Sequence, residues 1–220
     1  MNYINNFIRT DSRFEKKYII KFGQLLSVNL NNIDSIKKLH DGNNINNIYF
    51  DTLHNDFLND HIEGNLHRIK TRIRWYSHNK KKIKYFFEIK IKKNFINYKI
   101  KKELVNFKID NISLKYINDV YNSLITQTSF SNYKYKFIKP ILYNNYNREY
   151  FYKSNRQNRI TVDKNLYTQA LNINFAKNRK KCFYNYILEH KYLENKYQDL
   201  YISNINFINS SFSKYLYGLE

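Results

Sequence analysis

The chain has 220 residues and a formal charge of +20, from 38 Lys and Arg against 18 Asp and Glu, with only four Gly and one Pro. That length suits one domain with a real core, and the scarcity of Gly and Pro argues against a linker, so residues 1–220 read as a single domain. The charge points to an anionic partner, the lone Cys182 excludes an internal disulfide or a cysteine-built zinc site, and no apolar stretch is long enough to span a bilayer.

Met1 to Arg9 lack both a basic leader and a small-residue cleavage site, which predicts a cytoplasmic protein. Phe14 to Ile20 reads as a first strand, with Arg13, Glu15 and Lys17 on one side of it. Ile33, Ile36 and Leu39 have helical spacing, which predicts a short helix from Ile33 to Leu39. Ile45 to Phe50 reads as a strand, and Asp51 or Thr52 is placed to cap a helix from Asn55 to Ile62 that stops at Gly64. Asn pairs such as Asn43-Asn44 and Asn144-Asn145 read as turn punctuation.

His67 to Trp75, Lys84 to Lys92 and Phe95 to Phe107 then form an antiparallel meander, broken at Ser77 to Lys82 and at Lys93-Asn94. Asp110 to Ile125 has the apolar spacing of a helix, with Asp110 as its N-cap. Ile138 to Tyr152, Asn158 to Asp163, a weaker segment around Ala170, and Phe183 to Tyr192 complete the strands, with Cys182 half-buried beside Phe183. Glu194 to Ile202 and Ser210 to Tyr217 read as two short helices.

Net charge alone carries little in a sequence this rich in Asn, Lys, Ile and Tyr; charge placed at period two on strand after strand carries more. Lys70/Arg72/Arg74, Glu88/Lys90/Lys92, Lys99/Lys101/Glu103, Arg148, Arg159/Asp163 and Glu189/Lys191 all recur in this way. Neighbouring strands that share this face and close on themselves would make a barrel with a cationic lumen, a container for a polyanion.

Phe14-Glu15-Lys16-Lys17-Tyr18, Asn47-Ile48-Tyr49-Phe50-Asp51-Thr52, Ile62-Glu63-Gly64, Thr71-Arg72-Ile73-Arg74-Trp75-Tyr76, Glu88-Ile89-Lys90, Tyr146-Asn147-Arg148, Arg159-Ile160-Thr161-Val162-Asp163, Leu188-Glu189-His190-Lys191 and Phe212-Ser213-Lys214-Tyr215-Leu216-Tyr217-Gly218 follow one another in an order that resembles the VTC polyphosphate polymerase domain. That family belongs to the triphosphate tunnel metalloenzymes, also called CYTH-like. The resemblance implies an α+β fold: an eight-stranded antiparallel β-barrel tunnel with helices packed outside. It also implies an ATP-dependent polymerase that moves the terminal phosphoryl group of ATP onto inorganic polyphosphate, with Mn2+ or Mg2+ as cofactor.

The resemblance further implies roles for particular residues. Arg72, Arg74, Lys90, Arg148 and Arg159 would be catalytic; Lys17, Lys70, Lys101, Lys191, Ser213 and Lys214 would bind phosphate; Glu189 would hold the metal. Lys99 and Lys102 compete with Lys101 for its place, and Glu103 stands where a further basic residue is usual in the family. Glu15 is either a neutralising partner in the wall or a metal contact, and His190 points away from the site. A metal-dependent triphosphatase and a polyphosphate binder without catalysis are the alternatives. Nucleic acid, which the charge and the 22 Tyr and 16 Phe would also suit, ranks below them because the cations share one inward face.

Overall fold

Period-two alternation dominates this chain, and the computed structural model turns it into strands. It describes residues 8–11, 14–23, 36–77, 83–94, 96–128, 130–134, 136–153, 158–171, 180–192 and 208–220. The strands are β1 (Ile8–Asp11), β2 (Phe14–Ile20), β3 (Ile36–Thr52), β4 (His67–Tyr76), β5 (Tyr85–Lys93), β6 (Ile96–Leu104), β7 (Ile138–Lys153), β8 (Asn158–Ala170), β9 (Lys180–Phe183), β10 (Tyr186–Tyr192) and β11 (Ile208–Asn209). The α-helices that lie wholly within the described residues are α1 (Asp56–Ile62), α2 (Leu114–Ile125) and α3 (Lys214–Leu219). None is long and apolar enough to cross a membrane.

All the strands join one 11-stranded sheet in the order β1-β6-β5-β4-β3-β7-β8-β10-β2-β11, with β9 beside β8. Every pairing is antiparallel. The expected closed eight-stranded barrel is therefore corrected: the path ends at β1 and β11, and among the described residues no ladder joins them. Those edge strands have 4 and 2 residues, and among the described residues each pairs on one side alone, β1 with β6 and β11 with β2.

The sheet still curls until distant strands face each other. Lys90 of β5 lies 3.9 Å from Glu15 of β2, although β4, β3, β7, β8 and β10 separate those strands along the sheet. Strand twist, increased by the register shifts in the β3–β7 and β7–β8 pairs, supplies this curvature. The result is an open concavity with a charged inner face.

The outer face is apolar, as the alternation requires. Ile69, Ile73, Phe87, Ile89, Ile91, Ile100 and Leu104 pack with Ile117, Val120, Tyr121, Leu124 and Ile125 of α2 into the main core. Burying each such side chain stabilises the fold by about 1.5–3 kcal/mol. The cap of α2 is Ser113, whose hydroxyl accepts from Tyr116 N at 3.3 Å. Asp110, the expected cap, sits in a preceding 3-10 turn.

At α1 both expected caps act. The Asp51 carboxylate accepts from the backbone N–H of Phe57 and Leu58, each at 2.9 Å, and the Thr52 hydroxyl accepts from Asp56 N at 2.9 Å. Gly64 follows the helix at φ 74, the left-handed stop that glycine allows.

Helix α3 departs from the expectation that helices pack outside. Tyr215 packs with Tyr49 and Leu142 of the concave face, and its hydroxyl donates to Asp51 Oδ2 at 2.7 Å. Phe212 and Tyr217 pack with Phe183 against Ile45, Tyr146, Leu166 and Ile187. Part of the concavity is thus filled with apolar groups, and the start of α3 reaches the charged part.

Other boundaries also moved. Ile36 to Leu39 is strand, because β3 continues as the partner of β7; residues 33–35 lie outside the described residues. Asn158 to Ala170 is one strand. Phe183 to Tyr192 splits between β9 and β10. The helix expected from Ser210 runs instead from Lys214, after the short β11, while Glu194 to Ile202 falls outside the described residues.

The Asn pairs are not turns. They stand in β3 and β7, where Asn44 Nδ2 donates to Asn147 Oδ1 at 3.1 Å and Asn145 Nδ2 to Asn46 Oδ1 at 2.8 Å. Side-chain amides that bond across strands satisfy each other, which removes the usual penalty for Asn within a sheet. Cys182 is exposed rather than half-buried.

Candidate functional site

The ladders β3–β4–β5 and β7–β8–β10 bring arginines to the concave face from two walls, Arg72 and Arg74 from one and Arg148 from the other. Arg72 lies opposite Glu88 and Tyr49 in register. It donates through Nε and Nη2 to Glu88 Oε2 at 2.9 and 2.7 Å, and through Nη1 to the Tyr49 hydroxyl at 3.2 Å. Arg74, only 7% exposed, donates through Nε to Asn47 Oδ1 at 2.8 Å and through Nη2 to the Tyr146 hydroxyl at 3.1 Å. Asn47 in turn donates to Asn144 Oδ1 at 2.7 Å. Across the concavity Arg148 grips Asp163 in a bidentate fork, with Nη2 to Oδ2 at 2.7 Å, and touches Glu189 at 3.4 Å.

The lysines gather round carboxylates. Glu15 receives three of them: Lys17 at 3.1 Å, Lys191 at 3.2 Å and Lys90 at 3.9 Å. Burial and the charge of Glu189 push the Glu15 carboxyl up, but Lys90, Lys17 and Lys191 together bring it down to about 2. Lys214 joins Asp163 at 2.5 Å and Glu189 at 3.7 Å. Burial raises the Glu189 carboxyl, yet Arg148, Lys214, Lys17 and Lys191 outweigh it and hold the group ionised, well below the ordinary carboxylate range. Lys17 also donates to the Phe212 carbonyl at 3.4 Å, and Lys70 donates to the Ser213 hydroxyl at 3.1 Å.

The site residues expected from the sequence therefore fall into three groups. Lys17, Lys70, Arg72, Arg74, Lys90, Arg148, Glu189, Lys191, Ser213 and Lys214 converge on the concavity. Arg159 lies across from Lys191 in the β8–β10 ladder, exposed at the rim. Lys101 stands opposite Glu88 in register, but its ammonium sits over the Phe86 ring, 3.6 Å from its centroid. Lys99 takes the contact instead, 2.8 Å from Glu88 Oε1. Its amine is brought down to about 8, because burial and the arginines lower it more than Glu88 raises it.

The expectation for His190 held: it is buried on the opposite face against Asn158. Glu149 pairs with Lys164 at 2.9 Å, away from Arg148. Sequence reasoning put Glu88 and Asp163 on the inward face without a particular role and gave none to Asn47, Tyr49 or Tyr146; all five orient the arginines. Their signal was present: Asn47 and Tyr49 share a face by alternation, and a buried Asn in mid-strand needs partners. Thr161, opposite Glu189 in register, has a buried hydroxyl without a hydrogen-bond partner among the described residues.

A divalent metal fits this donor set in one way. Among the described residues no three His, Cys, Asp or Glu converge on one point, so an all-protein cage is not formed. Glu189 offers an ionised, hard carboxylate whose cation contacts are long, at 3.4 and 3.7 Å. Mg2+ and Mn2+ bind in such places through one carboxylate, phosphate oxygens and water.

The family model for the VTC domain matches residues 12–220. Among solved structures, the PH1819 protein from Pyrococcus horikoshii OT3 superposes with TM-score 0.48 at 15% identity, covering 84% of this chain and 80% of that one. A putative adenylate cyclase from Vibrio parahaemolyticus gives 0.40 at 10% identity, with 84% and 77% covered. The putative adenylyl cyclase HpAC1 from Hippeastrum, described as having a dominant triphosphatase activity, gives 0.40 at 15%, with 83% and 80% covered. No curated protein matches the chain.

Proposed function

We propose that this chain, which belongs to the VTC domain family, is a polyphosphate polymerase that transfers the terminal phosphoryl group of ATP to inorganic polyphosphate inside its concavity. The observation that carries the reading is the convergence of three arginines, Arg72, Arg74 and Arg148, and five lysines, Lys17, Lys70, Lys90, Lys191 and Lys214, on one recessed surface. Phosphoryl transfer asks little covalent work of a protein. It asks for phosphates held in line and for their charge to be neutralised.

Each group has a part in that task. Arg74 and Arg72 present planar forks to phosphate oxygens, with Asn47, Tyr146 and Glu88 fixing their orientation. Arg148 does the same from the opposite wall, braced by Asp163. The lysines are mobile point charges that follow the chain as it shifts by one phosphate. Glu189, with phosphate oxygens, would hold a divalent ion, which supplies charge neutralisation at the transferring group. Arg159 at the rim would meet the chain as it enters or leaves.

The nearest alternative is hydrolysis of triphosphates in the same pocket. It differs only in whether water or a phosphate chain stands in line with the terminal phosphorus. Two substitutions test the assignment of roles. Arg74→Ala should weaken ATP binding and turnover together, because the fork contacts ground and transition states alike. Glu189→Gln should keep ATP binding and lose metal-dependent turnover. Full activity of Glu189→Gln across a manganese titration would refute the metal assignment.

A further inference from the structure

Most cations of the concavity answer to a carboxylate: Arg72 and Lys99 to Glu88, Arg148 and Lys214 to Asp163, and Lys17, Lys90 and Lys191 to Glu15. Lys70 does not. Among the described residues its hydrogen bond goes to the neutral Ser213 hydroxyl at 3.1 Å, and the Tyr215 ring lies 5.7 Å from its nitrogen. The charges that act on it most strongly are all cations: Lys17 from β2, Lys90 from β5, and Arg68 and Arg72 from β4. From α1 it meets His61, whose ring is edge-on to Tyr215.

We propose that Lys70 couples polyanion binding to proton uptake: it rests as a neutral amine hydrogen-bonded to Ser213, and becomes an ammonium when a phosphate group is seated among Lys17, Lys70 and Lys90. This rests on the reading of the concavity as a phosphate site, and adds that one of its cations is made by the ligand. Burial lowers the Lys70 amine well below its ordinary value, and Lys17, Lys90, Arg68 and Arg72 lower it further. A phosphate brings the opposite charge into contact and reverses the second effect. The proton comes from solvent and no covalent bond changes. By linkage, affinity for the polyanion falls as pH rises between the free and bound pKa of this amine, by about tenfold per pH unit for one proton taken up.

A neutral lysine also limits self-repulsion among clustered cations before a ligand arrives. Burial also lowers the amine of Lys90, and Lys99 is brought down to about 8, so the test must separate Lys70 from both. Calorimetric titration of the whole chain with inorganic tripolyphosphate, in mildly alkaline buffer containing a chelator, does so. It is run in two buffers of different ionisation heat. The wild type should show a heat that depends on the buffer, corresponding to uptake of a proton.

Lys70→Met should bind tripolyphosphate more weakly and lose that buffer dependence. Lys70→Arg, charged at every accessible pH, should bind without the uptake and guards against a folding defect in the first variant. Binding with the same heat in both buffers in the wild type overturns the proposal and leaves the phosphate site standing. Uptake that persists in Lys70→Met and disappears in Lys90→Met or Lys99→Met also overturns it. No binding of tripolyphosphate at all overturns both the proposal and the site reading.

Discussion

At the scale of single residues, the site is a set of cations whose orientation is fixed by neutral or acidic neighbours. Asn47 illustrates the dependence: its oxygen receives Arg74 Nε at 2.8 Å while its nitrogen serves Asn144 at 2.7 Å. Asn47→Ala leaves two buried groups without partners, so it should cost about 1–3 kcal/mol of stability in urea unfolding and weaken ATP binding. Unchanged unfolding and unchanged binding would show that Arg74 needs no such support. Glu15 gives a pH signature. Its folded pKa is about 2 against an ordinary 4.5, so its contribution is present above 4.5 and is lost as pH falls toward 2. Acid unfolding followed by circular dichroism should therefore begin at higher pH in the wild type, relative to its neutral stability, than in Glu15→Gln. Parallel acid profiles would contradict the three-lysine arrangement around Glu15.

At the scale of elements, α3 matters most for the site, because it delivers Phe212, Ser213 and Lys214 to the cations. Its seat depends on Gly218, where a Cβ would stand 2.5 Å from Leu142 Cδ1. Leu142 is fully buried, so Gly218→Ala should force it aside at about 1–3 kcal/mol and displace Lys214 from Asp163. Loss of stability without loss of tripolyphosphate affinity would show that α3 is only a structural plug. The presence of this helix was readable from its apolar run, although it starts at Lys214, capped by Ser213, and not at Ser210. Its position inside the concavity was not, because alternation on one segment says nothing about which distant face it meets. The same limit explains Ile36 to Leu39, where helical spacing yielded to the long β7 partner, and the Asn pairs, whose strand placement rests on cross-strand amide bonds. The inward faces of β4, β5 and β10 were legible because charges at period two leave no other arrangement. The choice between Lys99 and Lys101 was not legible, since both share a face and only the reach of Lys99 to Glu88 separates them.

At the scale of the whole molecule, one curled antiparallel sheet packs α2 against part of its apolar side and turns its charged side to the concavity. The net charge of +20 fits this, because long-range attraction concentrates an anionic chain near the open side of the concavity. An open sheet can hold a polyphosphate as well as a closed barrel can, provided its two walls stay within reach of one chain. The Lys90–Glu15 contact at 3.9 Å shows that they do. Phosphate transfer and phosphate hydrolysis would use the same walls and would differ in their products, so the products decide. Purified protein incubated with ATP and Mn2+, and followed by phosphorus NMR, should convert ATP to ADP while signals of internal polyphosphate phosphates grow. Release of orthophosphate alone, or ATP left intact, would contradict the polymerase reading.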